Sequence, residues 1–125
     1  MLRKVLFSKI HMATVTGAKP SYNGSIMIDP LILREVGLRA SDAVTVANCR
    51  TGARFETYIF WGEPGSKVCE VRGAAAHLVE PGDRVIVMHY ALMDDKEYAA
   101  HHPRVALMRD DNSIEQLIRY EPVGG

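Results

Sequence analysis

Cysteine is scarce in this 125-residue chain: Cys49 and Cys69 are the two present, with no Cys-x-x-Cys pair. That argues against a four-ligand zinc site and against a disulfide framework, and leaves two reduced thiols as the expectation. The five histidines, at 11, 77, 89, 101 and 102, add no metal-ligand spacing, so no metal is expected. No apolar run approaches the roughly 20 residues that span a bilayer. Arg3, Lys4, Lys9 and His11 interrupt the N-terminal segment, so no secretory leader is expected either. An excess of charge of one sign is also missing. Fifteen Lys+Arg balance fifteen Asp+Glu, which disfavours a strongly basic nucleic-acid-binding surface. There is no internal repeat and no low-complexity stretch. What remains is ordinary globular material, 47% hydrophobic and 24% charged, of single-domain size, with the cytoplasm as the expected compartment.

Short apolar and β-branched runs broken by Gly, Pro, Asn and Asp dominate the pattern. Strands are expected at 4–7, 13–16, 25–28, 44–48, 54–60, 67–71, 84–91 and 105–108, with a turn-rich link at 17–23. Asp29-Pro30 reads as a helix start, a capping carboxylate followed by a proline at the first helical position. Leu31, Ile32 and Val36 would share the buried face and Gly37 would end the helix. Short helices are expected at 73–78 and 94–100. His89 reads as a satisfied core histidine, and His101-His102-Pro103 as a surface turn. The segment from Asp110 reads as a polar tail whose last residues, Gly124-Gly125, are mobile. Many short strands with few helices suggest a small closed barrel, which removes edge strands.

Chemistry enters at Gly24-Ser25. A Gly-Ser pair at a loop-to-strand junction is usually a turn. Its sharper reading is backbone self-cleavage: the Ser25 hydroxyl attacks the Gly24 carbonyl, the peptide becomes an ester, and elimination from that ester leaves residue 25 as a ketone. Serine must follow the scissile bond, because its oxygen becomes the ester. Glycine before it helps, because it enters strained conformations cheaply.

Lys9-Ile10-His11, Tyr22-Asn23-Gly24-Ser25, Ile28-Asp29-Pro30, Arg54 with Thr57-Tyr58, Gly73-Ala74-Ala75-Ala76-His77 and Gly82-Asp83 occur in that order. This set resembles the bacterial pyruvoyl-dependent L-aspartate 1-decarboxylase family, from residue 1 to about residue 91 and more loosely to residue 108. The resemblance implies a small, mainly β, six-stranded double-psi β-barrel with short helices, assembled as a homotetramer with active sites shared between subunits. It implies cleavage of one domain, 1–125, into a β chain, 1–24, and an α chain, 25–125, with Ser25 becoming a covalent pyruvoyl group. That ketone would be the electron sink for decarboxylating L-aspartate to β-alanine. A maturation factor is a further candidate partner.

By the same resemblance Tyr58 is the proton donor and Lys9, Arg54, Thr57, Gly73, Ala74 and Ala75 bind substrate. His11, Tyr22 and Thr57 would assist processing. Arg54 can hold a carboxylate with two charge-assisted hydrogen bonds. The Gly73-Ala74-Ala75 backbone can approach an anion closely. Residues 57 and 58 point to opposite faces of a regular strand, so both serve one site only if a strand ends, bulges or is shared across subunits. The family usually carries Asn before Gly-Ala-Ala, where this chain has Arg72, and often Glu where it has Asn23. Two alternatives stay open: an unprocessed, non-catalytic barrel acting as a binding module, and a pyruvoyl decarboxylase for another amino acid.

Overall fold

The computed structural model describes residues 1–121. Its elements, in chain order, are β1 (Arg3–Thr14), β2 (Gly17–Lys19), β3 (Ser25–Ile28), α1 (Pro30–Glu35), β4 (Ala43–Asn48), β5 (Arg54–Trp61) and β6 (Cys69–Arg72). A 3-10 turn (Ala74–Leu78), β7 (Arg84–Met93), α2 (Asp95–Ala100), β8 (Arg104–Met108) and β9 (Ile114–Arg119) follow.

Hydrogen-bonded neighbours run β2-β6-β3-β5-β4-β7-β1-β8-β9. Val15 and Thr16 alone separate β1 from β2, yet β1 pairs with β7 and β2 with β6, near the two ends of that order. One bent segment therefore joins the sheet to itself. Across the seam Val15 N–H donates to Asp83 O and Thr16 N–H to Cys69 O, each at 2.8 Å. With β1 and β2 counted as one strand, six strands complete the circuit, and β8 and β9 extend beyond it. This is the small six-stranded double-psi β-barrel expected above. Its interior is filled from alternate positions of each strand: Ile10, Ile26, Val46, Ile59, Val71, Val85, Val87 and Val105 are at most 1% exposed.

Asp29 and α1 behave as the sequence suggests. The buried Asp29 carboxylate accepts from Leu31 N–H at 2.9 Å, and from Gly65 N–H at 3.1 Å and Lys67 N–H at 2.9 Å, so it caps the helix and ties the loop before β6. The buried face is Ile32, Leu33 and Val36, however, and Leu31 is 41% exposed. The two strands expected at 4–7 and 13–16 are one. Register shifts at Leu6/Ser8 and Ile10/Ala13, with Met12 at φ 67°, break the alternation by which a strand is recognised. β2 lies in the segment expected to be a turn, because its three residues pair with a strand 53 positions away and carry no local pattern.

The polar tail contains β9, antiparallel to β8. Buried Asn112 ties its approach to the barrel, accepting from Thr14 N–H at 2.7 Å and donating to Thr14 O and Lys67 O, both at 2.9 Å. His101 is more than a surface turn: it stacks on Phe7 at 5.4 Å, with Nε2 3.1 Å from the Leu6 and Phe7 carbonyls. His89 Nδ1 lies 2.6 Å from Ala43 O, so it is satisfied as expected, but it is half-buried rather than in the core. Both cysteines are free, and burial pushes the Cys69 thiol up to about 12. The expectation about Gly124-Gly125 lies outside the described residues.

Asp83 holds the seam in another way. Its nearly buried carboxylate accepts from Arg50 Nε at 2.6 Å, Asn48 Nδ2 at 2.9 Å and Glu80 N–H at 2.9 Å. The Arg50 hydrogen bond, then those from Asn48 and Glu80, hold this carboxyl well below the usual carboxylate range against its desolvation. Its contribution is complete above the unfolded carboxyl value of about 4 and is lost as pH falls below it. Asp83→Asn should cost about 2 kcal/mol near neutral pH. In urea titrations repeated at decreasing pH, the native chain should lose stability more steeply than the variant. Parallel acid slopes would contradict the assignment.

Candidate active site

β3 lies between β6, to which it is antiparallel, and β5, to which it is parallel. Ile26 sits opposite Val71 on one side and Ile59 on the other, and all three are fully buried. A one-residue slip of β3 would turn its whole inward set to solvent, so the apolar pattern fixes the register. Ser25, the first residue of β3, is opposite Arg72. Continued one step back from Ile26 and Ile59, the parallel register sets Ser25 level with Tyr58, and a second step sets Gly24 level with Thr57. The antiparallel register continued by one step sets Gly24 level with Gly73. The Gly24–Ser25 peptide is thus flanked by Thr57-Tyr58 on one side and Arg72-Gly73 on the other.

Alternation along β5 divides its two partners. Phe55, Thr57 and Ile59 face the core side, whereas Tyr58 and Phe60 face outward, 44% and 48% exposed. Consecutive residues can flank one peptide because β3 begins there, with Thr57 level with Gly24 and Tyr58 level with Ser25. On the outer face opens a cavity of about 440 Å³ lined by Ser21, Tyr22, Asn23, Ser25, Tyr58, Phe60 and Arg72. Ser25 is 5% exposed and lines this cavity.

The rim carries a paired guanidinium and aromatic rings. The Arg72 guanidinium lies 4.9 Å from the centroid of the Tyr22 ring, and its Nε donates to Glu70 at 2.7 Å. Both members of that ion pair are largely buried, their side chains 24% and 13% exposed. A forked cation, a phenol and a sheltered hydroxyl around one small cavity suit a ligand bearing carboxylates and a reaction needing a proton.

Other expected site residues are elsewhere in the single chain. Arg54 begins β5, exposed and on the same face as Tyr58, but four residues before it, about 13 Å by strand rise. Lys9 is on β1, with Nζ 5.7 Å from the Tyr120 ring centroid. His11, also on β1, pairs with Leu107, and among the described residues its buried Nδ1 has no partner. Burial, with Lys9 and Arg84 adding repulsion, lowers its pKa and favours the neutral ring. Gly73 is buried beside Gly24, and Ala74 and Ala75 open the 3-10 turn that follows it. Phe60 and Glu70 were missed by sequence reasoning. Each is two positions from a residue already singled out, Tyr58 and Arg72, and the two-residue strand period was the signal available.

The family model described as aspartate decarboxylase matches residues 1–115. The chain belongs to the aspartate decarboxylase family. Proteins named aspartate 1-decarboxylase from Bacillus velezensis, Geobacillus sp. (strain WCH70) and Neisseria meningitidis are 47%, 48% and 45% identical to it over 122 residues. Those alignments cover 98% of this chain and 96% of each relative. Among solved structures, the rationally designed mkDPBB_sym1 protein matches 70% of this chain and 96% of its own length, with 19% identity and a TM-score of 0.48.

For this aspartate decarboxylase family member, Arg72 joins Glu70 of its own strand to Tyr22 of the segment before Ser25. A double-mutant cycle of Arg72→Asn and Tyr22→Leu, read by urea denaturation, should return a coupling of about 0.5–1 kcal/mol. Additive effects would mean that the stacking does not hold the segment.

Proposed function

We propose that this chain cuts its own backbone between Gly24 and Ser25 and then converts L-aspartate to β-alanine and CO2 in the cytoplasm. The observation that carries this reading is the buried Ser25 side chain, placed directly after Gly24 and facing the same cavity as the Tyr58 phenol. In maturation, Ser25 Oγ bonds to the Gly24 carbonyl carbon, the C–N bond breaks, and the Ser25 nitrogen takes up the hydroxyl proton. Loss of the Ser25 Cα proton then expels the Gly24 carboxylate from Cβ. Water replaces the nitrogen, ammonia leaves, and residue 25 becomes a pyruvoyl ketone. Fragments 1–24 and 25–125 remain together, because β1 and β2 on the first are laddered to β7, β8 and β6 on the second.

The pyruvoyl group supplies an electron sink for the pair released when the α-carboxylate leaves as CO2. The rest falls to side chains. Tyr58, level with residue 25 on the outer face, returns a proton to the carbon that lost CO2. Thr57, level with Gly24, offers its hydroxyl to that carbonyl during cleavage, with His11 and Tyr22 in accessory roles. The Gly73-Ala74-Ala75 backbone, which follows Arg72 without itself lining the cavity, binds substrate in this reading. Arg54 and Lys9 grip carboxylates, and neither lines the cavity of its own chain. A homotetramer in which a neighbouring copy supplies them accounts for that separation.

Incubated with L-aspartate and followed by proton NMR, the native protein should form β-alanine and Ser25→Ala should form none. Tyr58→Phe should still cleave but turn over about 100-fold more slowly or worse. Turnover of a different amino acid, with none of L-aspartate, would contradict the substrate assignment. An unbroken, inactive chain would leave the non-catalytic barrel. Co-expression of Ser25→Ala with Arg54→Ala should restore activity that neither variant has alone. No recovery in mixed oligomers would place Arg54 and Ser25 in one subunit's site.

A further inference from the structure

We propose that Gly73 is a positioning residue for self-cleavage, and that it, more than Gly24, is the sterically indispensable glycine at the cut. The inference rests on the maturation reading above and assigns a role in it that the substrate-side role of Gly73 does not include.

Gly73 has φ 80° and ψ −158°, a region essentially closed to side-chain-bearing residues. A Cβ there would lie 2.5 Å from Gly24 Cα, 2.9 Å from Gly24 N and 3.4 Å from Tyr22 O. All three are backbone atoms, which cannot rotate aside as a side chain can. Gly73 cannot retreat easily either. Its N–H donates to Lys19 O at 3.0 Å, its carbonyl accepts from Ala76 N–H at 2.9 Å, and Arg72 before it is laddered to both Lys19 and Ser25. A methyl group must therefore push Gly24 away from the register that sets its carbonyl beside Ser25. Attack requires reacting atoms within about 3–3.5 Å, and a displacement of about 1 Å can cost about 100-fold in rate. Gly24 presents the opposite case. A Cβ on Gly24 would meet Arg72 O at 3.9 Å, an ordinary contact, and its φ is not positive.

The test follows cleavage of freshly prepared full-length precursor by intact mass, alongside thermal melting. Gly73→Ala should slow cleavage about 100-fold or more. It should also withhold the ester, so that neutral hydroxylamine, which releases residues 1–24 as a hydroxamate from the native precursor, releases none of that fragment. Gly24→Ala should slow cleavage by less than about tenfold, one part in ten of that loss. Gly52→Ala is the control for strain: φ there is 76° with nothing within 4 Å, so it should melt earlier yet cleave like the native chain. Native-rate cleavage of Gly73→Ala, with the native precursor also cleaving, overturns this inference and spares the maturation reading. A native precursor that never cleaves overturns both. Should Gly73→Ala fail to fold, Gly24→Ala still decides: an arrest there returns the steric role to Gly24 and overturns the proposal.

Discussion

The register of β3 is the constraint on which the site depends. Ile26 is locked between Val71 and Ile59 in a dry core, and that single alignment determines what stands beside the next two residues toward the N-terminus. Ser25 comes level with Tyr58 and Arg72, and Gly24 with Thr57 and Gly73. Hydrophobic burial, a non-directional force, is here converted into angstrom-scale placement of a hydroxyl, because a strand can slip only in whole residues and each slip inverts its faces. Proximity of this kind is worth far more to a backbone rearrangement than any one added hydrogen bond.

The second dependence is on closure. The bent β1–β2 segment completes the barrel, and it is the segment that self-cleavage would set free at its C-terminal end. Its twelve-residue β1 is laddered on both sides and β2 is paired with β6, so breaking one peptide releases no element. Arg72 adds a cation held between Glu70 and the Tyr22 ring, at a position where the resemblance implies Asn. Its charge is balanced by Glu70, and its side chain lines the cavity beside residue 25.

Much of this was legible in the residues. Asp29-Pro30 announced α1 because capping is local chemistry, and the alternating apolar residues of β4, β5 and β7 announced strands because half-burial has period two. Gly24-Ser25 could be named as a candidate from its residues and Tyr58 from the resemblance, and Ser25 and Tyr58 line one cavity. Other features had no local signature. β1 hides behind two bulges, β2 is three residues whose partner is distant in sequence, and β9 looks like a polar tail because one of its faces is solvated. Leu31 was assigned to the wrong face of a helix too short for its period to discriminate. The crowding of Gly73 against Gly24 is a backbone-to-backbone contact between residues 49 apart, and no side-chain pattern can encode it.

Everything turns on whether the Gly24–Ser25 bond breaks by the chain's own action. The most direct measurement is the mass of the freshly purified, denatured native protein. Two species should appear, residues 1–24 and residues 25–125, the larger carrying a ketone in place of its N-terminal amine and gaining one phenylhydrazine adduct. A single uncut polypeptide, unreactive toward phenylhydrazine and still releasing CO2 from L-aspartate, would contradict the account.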